Sequence, residues 1–428
     1  MQSCKKKDDT ESSPKHFSGR VIIIGAGAAG LYAGKTLKEN NVDFLILEAD
    51  SRIGGRIKKN ETFADFTIDL GAQWLHGEKT FLKKLADSSG TNTYIDGADW
   101  IHKWYNGQFV NSFPQQYSDF KAVIESDYTL LPDVSFRTYG IQQGYSPGVL
   151  KLLELPASTS GTCASRVSVK GYAKEVDKWD FGEEGYWFAE SLYDFYDKEV
   201  ISKVKDKIVT NSQVTKVDYS SDKIKVSTKN GKTYEADKVI VTVAIPILKD
   251  GDITFEPALP KEKTDAFSKI GMDHGSKVFL KFDTRFYNGS ILSNINGSKF
   301  IDAPYGKNSN DNILLTSYFG ERAEYFDTKT ETQIVTELLA ELDIMFNGAA
   351  TSSFKDVIIQ NWGKEPFIRG AYSYQPVGVD NARETAAKPI NNKLFFAGEA
   401  MHTGGAYQII DGAAETGYIA ANTIIKSA

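Results

Sequence analysis

Val21-Ile22-Ile23-Ile24-Gly25-Ala26-Gly27-Ala28-Ala29-Gly30, followed by the apolar run Asp43-Phe44-Leu45-Ile46-Leu47-Glu48, is the stretch whose reading decides the fold. A buried parallel strand ends at Ile24, and Gly25 permits the tight turn that follows. Gly27 lets backbone approach a pyrophosphate, and Gly30, next to Ala29, lets the helix lie close to the sheet. The helix N-terminus presents unpaired N–H groups and a partial positive charge to phosphate. Glu48 ends the second strand about 20 residues on, where a carboxylate accepts hydrogen bonds from ribose hydroxyls and disfavours a 2′-phosphate. Strand, helix, second strand and terminal acid together predict a Rossmann-type unit holding an ADP-containing cofactor.

Glu48-Ala49-Asp50-Ser51-Arg52-Ile53-Gly54-Gly55-Arg56 carries the reading further. A second glycine pair allows close backbone approach, and an Arg fork suits phosphate oxygens better than a point charge does. This extension resembles that of the flavin-containing amine oxidase superfamily. The resemblance implies FAD, with Ala49, Arg52, Gly55 and Arg56 over its pyrophosphate and ribityl region. A plain surface loop with two exposed arginines is the other reading of the same residues.

At 428 residues the chain exceeds one ordinary domain and can bury a large core. With 41% hydrophobic and 25% charged residues it has a globular composition, and its net charge of −6 argues against nucleic acid as a partner. The same small negative charge is compatible with a cationic substrate. No run approaches the length a transmembrane helix needs. Cys4 and Cys163 define neither a disulfide framework nor a metal site. Gln2-Ser3-Cys4-Lys5-Lys6-Lys7 resembles the end of a bacterial lipoprotein signal whose hydrophobic part is missing. Two readings stand there: a lipidated Cys4 tethering a periplasmic or cell-envelope lipoprotein, and a chance cysteine in the tail of a cytoplasmic protein.

Pieces suited to flavin binding recur along the chain. One runs from residue 208 to about 248, with alternating strands on either side of Asn230-Gly231, a strong hairpin signal, and a buried strand at 238–243 that rejoins the main sheet. Another is the buried strand 393–399 followed by a helix over 411–425. The expected fold class is α/β: a discontinuous Rossmann-type FAD-binding domain (18–78, 205–250 and 388–428) with a mixed-sheet and helical substrate-binding domain (79–204 and 251–387), behind a disordered tether at 1–17. Strands are predicted over 276–282 and 312–318, an amphipathic helix over 331–345, and a helical pattern over 186–196. The active site is expected where the two domains meet.

The most specific block of the resemblance runs from Asp252 through Ile270-Gly271-Met272-Asp273-His274-Gly275-Ser276-Lys277 to Phe282. Polyamine oxidases and flavin-dependent histone demethylases have a similar block, which implies that Lys277 holds a water against flavin N5. A buried cation there would stabilise negative charge as dioxygen is reduced. Trp362 and Tyr372 match a second block, in which the tryptophan packs by the isoalloxazine and the tyrosine forms one wall of an aromatic cage. Ala371 stands where monoamine oxidases carry the cysteine bonded to flavin, which implies noncovalent FAD. Gly398, Glu399, Gln408 and Ile409 match a third, with the acid near the ribityl chain and a helix N-terminus near the flavin O2. Val214 belongs to the same cofactor set. The second cage tyrosine of the family is replaced here by Ile409, so either Tyr407 swings in or the cage stands half open.

Asp69-Leu70-Gly71-Ala72-Gln73-Trp74-Leu75-His76-Gly77 lacks the arginine with which L-amino-acid oxidases pair a substrate carboxylate. Gly71, Ala72, Gln73 and Trp74 are assigned to the cofactor; Trp74, His76, Tyr372 and Tyr407 to the substrate pocket. His76 reads equally as a substrate-side group and as a structural histidine. Glu183, Glu184 and Glu190 read as a solvated helix face. The expected activity is polyamine-oxidase-like: an amine gives a hydride to flavin N5, the imine hydrolyses, and dioxygen reoxidises the flavin to yield hydrogen peroxide. The alternatives are an FAD-dependent oxidase or desaturase of a nonamine substrate, and a noncatalytic flavin-loaded lipoprotein that binds amines.

Overall fold

The computed structural model describes residues 17–95 and 101–427, so Cys4 lies outside the described residues. Strand β1 (Arg20–Ile24), helix α1 (Ala28–Glu39) and strand β2 (Asp43–Leu47) form the unit expected from the opening motif. They sit in a five-stranded parallel sheet in the order Ile208–Val209, β2, β1, Lys238–Val241, Leu394–Phe396. Both faces of β1 are covered, as its unbroken apolar run requires. Val21 and Ile23 pack with Leu31 and Leu37 of α1 and with Ala421 and Ile424 of the C-terminal helix Ile410–Ile425. Ile22 and Ile24 pack with Val226 and Val239 on the other side.

The Asn230-Gly231 hairpin forms, joining Ile224–Thr228 to Thr233–Ala236 in antiparallel register. Its sheet also contains Thr254–Glu256, which pairs parallel with Val214–Asp218. Ile253, Phe267 and Ile270 share a core with Val239 and Ala382. These residues, placed by sequence in the second unit, therefore pack beside the first sheet.

A seven-stranded sheet follows the order Phe354–Asn361, Gly275–Phe282, Asn312–Phe319, Lys299–Asp302, Ser290–Ser293, Ile101–Tyr105, Gln108–Val110. Alternation decides its two faces. Val278, Leu280 and Phe282 pack with Leu338 and Leu342 of the helix Glu331–Phe346. Phe279 lies on the opposite face with Leu70 and Leu315, and Lys277 shares that parity.

One predicted helix is corrected. Gly185–Phe188 is the central strand between Trp74–His76 and Thr93–Ile95, and only Leu192–Tyr196 is helical. The run Tyr186-Trp187-Phe188 is aromatic, a composition that favours strands, and Trp187 stands opposite Trp74. Glu183, Glu184 and Glu190 are exposed on the loops flanking that strand, not on a helix face.

Asp411, 1% exposed in the first turn of the C-terminal helix, accepts a hydrogen bond from the Leu82 N–H at 2.9 Å. Burial pushes its pKa up to about 7, against the Leu82 N–H and the Thr80 hydroxyl, which work to lower it. A carboxyl raised above its unfolded value stabilises the fold in its protonated form, and that contribution is lost as pH rises through about 7. Asp411 therefore contributes a fall in melting temperature between about pH 4 and about pH 7 that levels off above, and Asp411→Asn, neutral throughout, is expected to lack it. Parallel profiles from differential scanning calorimetry would contradict this.

Candidate active site

A cavity of about 440 Å³ is lined by the ends of the parallel sheet, the arginine extension, the loop before the C-terminal helix, and one face of the seven-stranded sheet. At the first of these, Gly25 takes φ +106°, which opens the turn, and its N–H donates to Leu47 O at 2.8 Å, the last bond of the ladder between β1 and β2. Gly27 is the N-cap of α1, so the helix presents its open N–H groups at the wall. Glu48, 9% exposed, accepts from the Ala26 N–H at 2.6 Å and the Asp50 N–H at 2.9 Å. Burial raises its pKa, with these two bonds working against the rise. Two backbone donors leave lone pairs on the carboxylate for a further donor.

The arginine extension is tied to the glycine loop by the Gly54 N–H, which donates to Ala26 O at 2.8 Å. Arg52 lies 5.9 Å from the centre of the Trp362 ring. Arg56 donates to Ala371 O at 2.7 Å and to Glu399 at 3.0 Å. Glu399 also accepts from the Ser373 hydroxyl at 2.6 Å and the Gln408 N–H at 3.2 Å. Burial works to raise the pKa of Glu399, but the Arg56 and Arg383 guanidiniums outweigh it and hold the carboxyl below its usual range.

Lys277 is 8% exposed, and its ammonium donates to Gly71 O at 2.7 Å, to Asp69 O at 3.1 Å and to the Gln73 side chain. It lies 5.2 Å from the centre of the Trp74 ring. Burial drives the lysine pKa down. The Asp69 carboxylate is turned to the Leu192 and Tyr193 N–H groups, at 2.9 and 3.2 Å. Trp362 donates from its indole to Leu70 O at 3.2 Å. Tyr372 donates to Ser158 O at 3.0 Å and meets the Phe319 ring edge-on, with 5.4 Å between centroids. Trp74 packs on Trp187 at 4.9 Å, and the His76 ring lies 6.4 Å from the Trp74 ring.

The residues present fit an acceptor-rich dinucleotide. Arg52 Nη1, Trp74 Nε1 and Gln408 Nε2 are buried donors on cavity-lining residues with no partner among the described residues. A Cβ added at Gly27 would meet nothing within 4 Å, so there is room at the helix N-terminus for a ligand.

The family described as flavin containing amine oxidoreductase matches residues 181–425, and a NAD(P)-binding Rossmann-like domain matches residues 23–88. The chain belongs to the flavin-containing amine oxidoreductases. Its cofactor is FAD. Polyamine oxidase 6 of Oryza sativa subsp. japonica is 26% identical over 96% of this chain and 91% of its own length. Lysine-specific histone demethylase 2 of Homo sapiens is 27% identical over 91% of this chain and 51% of its own length. The solved cyclohexylamine oxidase from Brevibacterium oxydans IH-35A superposes with a TM-score of 0.81 at 21% identity, covering 95% of this chain and 99% of that one.

For this amine oxidoreductase, the structure brings nearly all the sequence-predicted site residues to one cavity, from Gly25, Ala29 and Ala49 through Gly55, Ala72 and Val214 to Gly398 and Ile409. Two stand elsewhere. Gly30 is not at the wall; a Cβ there would lie 2.0 Å from Gly25 O, so it serves the packing of α1 on the strand. Tyr407 does not replace the missing cage tyrosine. It is buried, its ring 3.8 Å from the guanidinium of Arg383, an interaction that holds it away from the cavity. The aromatic beside Tyr372 is Phe319, which sequence reasoning missed together with Lys299, Ile301 and Ser317. Their signal was period two: 299 with 301, and 317 with 319, fall on one face of adjacent strands.

Proposed function

We propose that this amine oxidoreductase is a polyamine-oxidase-like enzyme that holds FAD noncovalently and uses dioxygen as its electron acceptor. The observation that carries the reading is Lys277, buried on three acceptors at the wall shared with Trp74 and Tyr372. Held there, FAD would supply the redox chemistry, acceptance of a hydride from the carbon next to the amine nitrogen and delivery of the electron pair to dioxygen as hydrogen peroxide, and water would hydrolyse the resulting imine to a carbonyl and an amine or ammonia. The protein's part is binding, orientation and exclusion of water. Gly27 and the N-terminus of α1 hold the pyrophosphate, Glu48 the ribose, and Arg52, Arg56 and Glu399 the chain between them. Ala371 offers no thiol, so nothing at that position bonds the cofactor covalently.

Trp74, Phe319 and Tyr372 give the substrate end apolar walls. Such surroundings disfavour an ammonium and favour the neutral amine, whose lone pair assists departure of the hydride. The similarity to proteins named polyamine oxidase and cyclohexylamine oxidase supports a small amine as substrate.

Anaerobic mixing of the yellow protein with polyamines, N-acetylated polyamines, diamines and aromatic monoamines tests the reading. At least one amine is expected to bleach the flavin, with colour and peroxide returning on admission of air. The bleaching rate is expected to rise with pH as the amine loses its proton. A flavin that no amine bleaches, or a rate independent of pH with an active substrate, overturns it.

A further inference from the structure

Arg383 lies on the short helix Ala382–Ala387, is 4% exposed, and is turned inward. Its Nη1 donates to the Ser373 hydroxyl at 2.8 Å and to Ala400 O at 3.0 Å. Nε and Nη2 have no partner among the described residues. Burying a guanidinium is costly unless its charge is used. Two contacts use it here. Ser373, accepting from Arg383, donates its own proton to Glu399 at 2.6 Å, so the hydroxyl is polarised toward the carboxylate. The guanidinium also lies 3.8 Å from the centre of the Tyr407 ring. Tyr407 precedes Gln408, which takes φ +74° and whose N–H closes on the same carboxylate at 3.2 Å.

We infer that Arg383 is the positioning residue of the flavin-side carboxylate: through Ser373 it orients Glu399 and keeps it ionised, and through Tyr407 it anchors the strained turn that brings Gln408 to the cavity wall. The inference rests on the reading of Glu399 as a cofactor contact. It also gives a reason for the sequence surprise at Tyr407, an aromatic held to a buried arginine instead of to substrate. Arg56 and Arg383 are the cations that face Glu399, Tyr372 and Tyr407 are the neutral titratable groups beside it, and Glu175 lies beyond Arg383. A depressed carboxyl contributes stability above its unfolded pKa and loses it as pH falls through the folded value. Removing one facing cation moves that loss to higher pH.

The test is acid release of flavin from the holoprotein, read by fluorescence after filtration, alongside the melting temperature of the apoprotein against pH. In Arg383→Met the release midpoint is expected about one pH unit or more above wild type. FAD affinity at neutral pH is expected to fall about tenfold. Ser373→Ala removes the link together with the serine's own bond to Glu399, and is expected to shift release in the same direction; Arg383→Gln, which keeps a donor without the charge, takes the place of Arg383→Met if that variant does not fold. Arg383→Lys restores part of the effect. Lys263→Met is the control, because Lys263 caps the same helix through Ala386 O at 2.7 Å and Lys388 O at 2.5 Å but does not contact Glu399. Release at the wild-type pH in both Arg383→Met and Ser373→Ala overturns the inference, and so does an equal shift in Lys263→Met. Wild-type protein that binds no FAD overturns the reading of the cavity and the inference with it.

Discussion

Lys277→Met is expected to leave the protein folded and yellow while lowering oxygen-dependent turnover about 100-fold or more, the scale on which a preorganised charge at a reacting centre acts. Methionine preserves the length of the side chain, so the strand Gly275–Phe282 keeps its packing while the ammonium is lost. Asp69 O, Gly71 O and the Gln73 side chain lose a shared donor, at a cost of about 1–3 kcal/mol. That is affordable in a fold of this size. Gly71 and Gln73 line the cofactor cavity and their segment is bonded to Arg56 O through the Ala72 N–H, but the glycine loop at Gly27, Glu48 and Glu399 keep their own bonds, so FAD affinity is expected to fall far less than turnover does. The pH profile supplies the sharper signature. Burial drives the Lys277 pKa down, so its charge is lost at lower pH than for an ordinary lysine. Turnover that depends on that charge declines on the alkaline side, opposing the rise from substrate deprotonation, and the alkaline decline is absent in the methionine variant. Rapid-mixing reoxidation by dioxygen and steady-state kcat across pH measure both; wild-type turnover in the variant removes Lys277 from the mechanism.

The two ends of the cavity were unequally legible. The cofactor end is written in local chemistry: glycines where a turn or a close approach forbids a side chain, an acid one strand later, two arginines after it, and all of these fall in one short stretch. Lys277 was legible too, because strand alternation fixes its face once the strand is recognised. The substrate end is assembled by long-range pairing. Phe319 meets Tyr372 only because Asn312–Phe319 pairs with Gly275–Phe282, and no local pattern announces which aromatic of a strand faces a cavity. Tyr407 failed for the converse reason: its neighbours in sequence favour the cavity, yet the buried cation of Arg383, 24 positions earlier, holds its ring elsewhere. At 186–188 a run of aromatics suits either period, and pairing with Trp74–His76 and Thr93–Ile95 decided for strand.

Of the three glycines of the opening motif, Gly27 and Gly30 make the most discriminating pair of variants, since they are three positions apart and are expected to fail in different ways. Gly30→Ala places a methyl 2.0 Å from Gly25 O, 2.8 Å from Thr242 Oγ1 and 3.1 Å from Ile23 Cγ2. The nearest atom is backbone. Thr242 Oγ1 is itself committed to Ile24 O at 2.8 Å and Gly25 O at 3.0 Å, so it does not give way freely. Separating α1 from the sheet is expected to cost about 3 kcal/mol or more, with loss of soluble protein before cofactor affinity can be measured. Gly27→Ala meets nothing within 4 Å, and its φ of −83° with ψ of −177° is extended backbone open to any residue. Alanine is a poorer N-cap than glycine, a difference of at most about 1 kcal/mol. The apoprotein is therefore expected to melt within a few degrees of wild type. Its methyl nevertheless stands beside the open N–H groups of α1, in the space the pyrophosphate needs, and FAD affinity is expected to fall about tenfold or more. Calorimetry of the apoproteins and flavin titration separate the two effects. A Gly27→Ala protein that binds FAD as wild type does would place the pyrophosphate away from this helix, and a stable Gly30→Ala protein would mean that α1 can lift from the sheet without penalty.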